Sequence, residues 1–298
     1  MSTLYNQAES NIRKTWILIT LFLIFVIGLG WLFSYIFQNQ NILIFAVIFS
    51  LLMNIIGFWY SDKVALAISR AKPIEKSDSP ELYRIVENLC IAAGLPLPKI
   101  YIIPEAQPNA FATGRDKNHA VIAVTQGLLD KLEKSELEGV ISHELSHIGN
   151  KDMLLMTMVV VLVGFVSIIS NIFLRSMWFG GFKKRDSRGE GQLGSILAMA
   201  GIIFAILSPI IAMLIQLAIS RKREFLADAS AALLTRYPEG LARALEKISA
   251  DKTPMKNVSP ATSHLFIANP FRGKSLTTLF LTHPPIEQRI KALRGIQI

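Results

Sequence analysis

The chain has 298 residues, 51% of them hydrophobic and only 18% charged, with a formal net charge of +9 and a single cysteine. That balance is too apolar for two ordinary soluble domains. One cysteine excludes an intrachain disulfide framework and a multi-cysteine zinc site, leaving Cys90 as inert core on the apolar face of a helix.

In chain order, residues 15–37 carry no charge and are long enough to span a ~30 Å hydrocarbon layer. The run is too long for a signal-peptide core and lacks a small-residue cleavage site, so it is expected to be retained. After Gln38-Asn39-Gln40, residues 41–60 form the return leg of a membrane hairpin. A soluble stretch then covers 61–152. Ser79-Pro80 predicts a helix start, with Leu82, Ile85, Val86 and Leu89 on one face and Gly94 at the end. Residues 98–104, 109–114 and 119–125 are short, rich in β-formers and separated by turn residues, which predicts a small antiparallel sheet. Ser135-x-x-Glu138 reads as the capping box of a helix that ends at Gly149. Residues 153–174 and 194–220 are two further apolar runs, the second kinked at Pro209, separated by a Gly- and charge-rich loop over 175–193. Residues 221–298 are soluble again and mostly helical.

Much of the positive charge flanks the apolar runs, as Arg13-Lys14, Lys183-Lys184-Arg185 and Arg221-Lys222-Arg223. That placement suits a bilayer with anionic lipid and not a nucleic acid. The expected architecture is a mainly α membrane protein with four transmembrane helices. It divides into a first hairpin (1–60), half of a soluble domain (61–152), a second transmembrane or re-entrant hairpin (153–220) and the other half (221–298).

The chemistry centres on His143, Glu144 and His147, spaced His-Glu-x-x-His in the predicted helix. A helix places positions i and i+4 on one face, so the two imidazoles can grip one metal ion. Glu144, one step round, can reach a water beside that ion and act as general base. Val140, Ile141, Leu145 and Ile148 are apolar enough to bury the motif. A catalytic zinc wants a third protein ligand. The metzincin spacing would need histidine where Met153 stands, which excludes that class. Glu224 is the best candidate, with Asp228 one turn on to accept the N–H of a ligand histidine. His147 precedes one apolar run by about five residues and Glu224 follows the next by about four, so a hairpin returns both to one membrane face. His119 reads as a surface residue.

Several stretches together resemble the HtpX-type integral-membrane zinc metallopeptidases, relatives of the CAAX prenyl proteases: PNAFATG, GVISHELSHIGNKD, SRKREFLADA, LFIANPF and THPPIEQRI. The resemblance implies a gluzincin-type α+β domain, one Zn2+ per chain held by His143, His147 and Glu224, and Glu144 as catalytic base. It implies cleavage of misfolded or damaged membrane proteins, a stress-response role, at the cytoplasmic face of a cell (inner) membrane. It further suggests that Asn109, Ala110, Phe111 and Ala112 form an edge strand to which substrate backbone adds. His283 and Arg289 would line the cleft and stabilise the oxyanion; the alternative for them is structural, with Pro284-Pro285 starting a helix that packs through Ile286, Ile290 and Leu293 and Arg289 holding an acidic partner. A catalytic role for His264 is weaker still. The five cations of loop 175–193 sit uneasily on the outer side that this orientation assigns them. The competing readings are an inactive zinc-stabilised membrane scaffold and a transporter. The first has no use for Glu144, and the second wants ionisable groups inside the apolar runs, where there are essentially none.

Overall fold

The computed structural model describes residues 4–36, 38–164, 221–257, 259, 261–271 and 284–296. The apolar run 194–220, the loop 175–193, residues 165–174 and His283 lie outside the described residues.

Two long helices open the chain, α1 (Leu4–Ile36) and α2 (Gln40–Ile68), joined by a turn at Gln38-Asn39. Their apolar side chains face outward: Trp16, Leu21, Ile24, Phe45, Ile48, Leu52 and Ile55 are all exposed, as a lipid-facing surface requires. The helices cross closely where Gly30 meets Ala46, since a Cβ on Gly30 would overlap the alanine side chain. Both helices run past the apolar stretch. The ends nearest the soluble region bury Leu18, Phe22, Ala65 and Leu66 in one cluster with Phe111, Val121, Leu155, Met158 and Phe266.

Strand β1 (Lys72–Pro73) leads to α3 (Pro80–Ala93), which begins with proline at its first position and ends on Gly94 at φ +64°, a left-handed cap. Cys90 is buried on its inner face. Strands β2 (Lys99–Ile103), β3 (Ala110–Gly114) and β4 (Ala120–Thr125) complete a four-stranded sheet in the order β1-β2-β4-β3. The sheet is mixed, not antiparallel as the strand pattern suggested: β2 and β4 run parallel, while β1 and β3 pair antiparallel at the two edges. Strand spacing alone does not show that β3 crosses over to the far side of β4.

After the short α4 (Gln126–Lys131), α5 (Lys134–Gly149) carries the His-Glu-x-x-His motif. Its capping box is Glu133 with Glu136, not Ser135 with Glu138. The helix starts two residues earlier than the serine pattern implied, because Glu136 reaches back to the Glu133 N–H and is itself held by Lys247. The sequence at 149–152 then turns sharply. Asn150 caps the helix, Lys151 adopts φ +56°, and α6 (Asp152–Gly164) leaves at 87° to α5. Helices α7 (Arg221–Thr235), α8 (Pro238–Ala250) and α9 (Ile286–Arg294) close the domain. Gly139 and Gly240 let α5 and α8 touch through backbone, since a Cβ on Gly139 would lie 2.8 Å from the Leu241 Cα. Among the described residues two helices are long and apolar enough to cross a membrane, or three if α5 and α6 count as one broken span. The architecture is therefore mainly helical, with a small mixed sheet.

Candidate metal centre

The amphipathic pattern of α5 turns Val140, Ile141, Leu145 and Ile148 into the core and buries the motif with them; His143, Glu144 and His147 are all buried. The two imidazoles converge edge to face, ring centroids 4.7 Å apart, with Nε2 facing Nε2 at 3.2 Å. Tetrahedral zinc with nitrogen at ~2.05 Å would set two such atoms about 3.3 Å apart. Glu224, from the first turn of α7, spans both rings: Oε2 lies 3.7 Å from His143 Nε2 and Oε1 lies 3.7 Å from His147 Nε2. One ligand atom from each of the three residues fits within 4.8 Å of the others.

Each ring is oriented from behind by a carboxylate. Asp228 Oδ1 lies 2.9 Å from His143 Nδ1, and Asp152 Oδ2 lies 3.1 Å from His147 Nδ1. Both rings thereby present Nε2 forward, the tautomer a metal ligand needs. Asp228 is gripped in turn by the fully buried Arg289, whose Nε and Nη2 donate to Oδ2 at 2.8 Å and Oδ1 at 2.7 Å. Burial by itself would raise the Asp228 carboxyl. The Arg289 guanidinium and the His143 ring outweigh it and hold the group well below the usual carboxylate range. Burial would likewise push the His147 imidazole down; the Asp152 hydrogen bond and the charges of Glu224, Asp152 and Glu144 lift it instead, to about 9. The cage favours positive charge. Around the two rings stand four carboxylates, Glu144, Glu224, Asp152 and Asp228, against two guanidiniums, Arg223 and Arg289. With both imidazoles neutral, as metal ligands must be, the formal surplus of two negative charges is what one divalent cation would cancel.

Glu144 shares the cage without matching the three-residue ligand set. Burial raises its carboxyl above the ordinary value, against the pull of His143 and His147, and it accepts a hydrogen bond from the Ala112 N–H of β3. A buried carboxylate with a raised proton affinity, tied to an edge strand and beside the His-His-Glu cluster, is suited to proton transfer.

A family model described as peptidase family M48 matches residues 76–297. The chain belongs to peptidase family M48. It is 48% identical to a protease HtpX homolog of Caldanaerobacter subterraneus subsp. tengcongensis over an alignment of 300 residues, covering 99% of both chains. A protease HtpX homolog of Thermococcus sibiricus is 48% identical over 285 residues, 94% of this chain and 96% of its own. The crystal structure of S. mikatae Ste24p shares the fold at TM-score 0.50 and 21% identity, covering 94% of this chain and 66% of that one. This M48 chain is therefore a metallopeptidase carried on apolar helices.

The other residues singled out from sequence fall into two groups. Arg289 lies behind the ligands, spent on Asp228 and on the Ile267 carbonyl at 3.0 Å, and its Nη1 is 3.6 Å from Glu224. The edge-strand residues are buried: the Asn109 side chain donates to the Ala268 carbonyl at 2.9 Å and accepts from the Ala268 N–H at 3.2 Å. The Ala110 carbonyl accepts from Ile267 N–H at 2.9 Å, and Phe111 packs edge-on against Phe266. That half of β3 is thus already paired within the chain. His264 stands apart, its Nε2 donating to the Met156 carbonyl at 2.9 Å, and His119 is exposed beside Asp116. Sequence reading gave Asp152 no role and took Arg223 only as one of the charges flanking an apolar run. Asp152 stands five residues beyond His147, but only the turn at Asn150-Lys151 brings it back under that ring.

Proposed function

We propose that the chain is a zinc endopeptidase in which His143, His147 and Glu224 hold one Zn2+ and Glu144 is the catalytic base. The convergence of those three ligand side chains, from helices about eighty residues apart in sequence, carries the reading. When bound, zinc would supply a Lewis acid that polarises the scissile carbonyl and acidifies a water. Glu144 takes the proton of the attacking water and returns it to the leaving amine. Asp228 and Asp152 keep both imidazoles in the ligating tautomer. Arg289, through Asp228, is assigned to holding that geometry; oxyanion stabilisation by Arg289 or His283 is a lesser part of the proposal. Substrate backbone adds to β3 from the Ala112 carbonyl onward, since Ile267 takes the Ala110 carbonyl and Glu144 takes the Ala112 N–H.

The setting supports membrane-protein substrates cut near the bilayer surface, and we read the activity as quality control of misfolded or damaged membrane proteins, in keeping with the relatives named protease HtpX homolog. The metal centre lies beside the N-terminal end of α1 and the C-terminal end of α2. Those ends carry Arg13, Lys14, Lys63 and Arg70, while the turn at Gln38-Asn39 carries no charge, which favours a cytoplasm-facing domain in a cell (inner) membrane. The same reading divides the chain into hairpin 1–60, protease halves 61–152 and 221–298, and a second membrane segment 153–220.

The test is cleavage of a membrane-protein substrate by the full chain and by Glu144→Gln, with zinc counted in both. Loss of about 100-fold or more in rate with zinc retained is expected. Equal cleavage would sink the enzyme mechanism and favour a scaffold. Wild type without zinc would sink the metal centre.

A further inference from the structure

The first membrane helix reaches the metal centre through a buried amide. Asn11 and Thr15 sit one turn apart on α1, each 2% exposed, in a stretch that otherwise reads as the approach to a lipid-facing span. The family match begins at residue 76 and so leaves this helix out. An amide tolerates burial only when both its ends are partnered. Here they are: Nδ2 donates to Asp152 Oδ1 and also to the Asn150 carbonyl at 3.3 Å, while Oδ1 accepts from Arg223 Nη1 at 3.2 Å. Thr15 Oγ1 donates to the Asn11 carbonyl at 2.9 Å. The other oxygen of Asp152 is the one that accepts from His147 Nδ1.

The chain of contacts therefore runs from α1 to Asp152, and from Asp152 to His147. One amide ties together three pieces of the domain: the turn after α5, the start of α6 and the first turn of α7, where Arg223 precedes Glu224. Neither an aliphatic nor an acidic side chain can replace it. A leucine would leave Asp152 without a donor from α1, and an aspartate would set a second carboxylate against the first.

We propose that Asn11 is a positioning residue of the metal centre, fixing Asp152 and through it the ring of His147, so that the first membrane helix helps to build the site as well as anchor it. The inference rests on His143, His147 and Glu224 being the metal ligands. The Asp152–His147 contact would be loosened without the Asn11 donor, and partners of that kind set how tightly the ligand binds.

The experiment uses the full chain in detergent, stripped of metal and titrated with Zn2+ against a chelating indicator, and separately loaded with Co2+ for its visible spectrum. Asn11→Leu is expected to weaken zinc by about tenfold, the lower end of the range for groups that orient a ligand, and to shift the cobalt bands. Asn11→Asp keeps the shape and the Arg223 contact but loses the donor, and should weaken zinc in the same direction. It serves if the leucine variant fails to fold. Leu18→Ala, two turns along the same buried face of α1, should lower the melting temperature and leave zinc affinity and the cobalt spectrum unchanged. Asn11→Leu combined with Asp152→Asn should bind zinc no more weakly than Asp152→Asn alone. Zinc affinity and cobalt spectrum unchanged in both Asn11 variants would overturn the proposal, as would additive losses in the double variant or an equal zinc loss in Leu18→Ala. Wild type that takes up no zinc would fail the metal centre itself, which is a different result from loaded wild type with unaffected Asn11 variants.

Discussion

His143 and His147 stand one turn apart on α5 and are each backed by an aspartate, yet the two aspartates are held by different parts of the molecule. Asp228 is clamped two-pronged by Arg289, a guanidinium with no exposure, delivered by α9 of the soluble domain. Asp152 is held by an amide from membrane helix α1, with Arg223 Nη1 3.9 Å from the same carboxylate. The first arrangement is stiff and costly to break, because both partners are buried charges. The second is lighter, and it makes one ligand answer to the packing of a membrane helix. His264 supplies a third case, a buried histidine with no carboxylate behind it. Its Nε2 donates to a carbonyl, and its Nδ1 has no partner among the described residues.

The largest expected effect is on the stiff side. Arg289→Met strands the Asp228 carboxylate in the core and should cost about 3–5 kcal/mol, read as a fall in melting temperature of the purified chain; a fall no larger than that of Asp152→Asn would erase the contrast. Next comes acid. Burial pushes His264 down to about 4, helped by the Arg223 charge and opposed by the Met156 hydrogen bond. A folded value below the unfolded one means that the unfolded chain binds more protons between them. This contribution to stability is whole above about pH 6.5 and drains away as pH falls from there to about 4. It is worth up to about 3 kcal/mol. His264→Gln should flatten that part of a stability-against-pH curve, and an unchanged slope would show that His264 is not the group responsible. Smaller again are the two aspartates in metal binding. Asp228→Asn and Asp152→Asn should each weaken zinc about 10–100-fold, and Asp228→Asn should lower the melting temperature further because it strands Arg289. Equal melting temperatures would remove the asymmetry. The smallest effect separates packing from the site. Gly139→Ala forces α5 from α8 at the Leu241 backbone and should cost about 1–2 kcal/mol with zinc affinity intact.

The stiff half of the centre was largely legible in the sequence, because His143, Glu144 and His147 obey helical spacing and Asp228 follows Glu224 by one turn. The light half was not. Asp152 lies outside the α5 helix, and its approach to His147 depends on a non-glycine turn at Lys151 and an 87° change of direction. Asn11 lies 141 residues from Asp152, and nothing local marks it as more than a polar residue before an apolar run. The sheet was misjudged for a related reason: strand patterns report which residues are apolar, while the parallel pairing of β2 with β4 is set by where the chain crosses.

The cluster that joins Leu18, Phe22, Ala65 and Leu66 to Phe111, Leu155 and Phe266 has a practical outcome. Trimming the chain to begin at Lys72 would strip the cover from β3 and α6 along with the amide behind His147. A fragment made that way would keep the apolar runs after Asp152, would expose a further oily face where the hairpin used to lie, and would report on a weakened version of the catalyst.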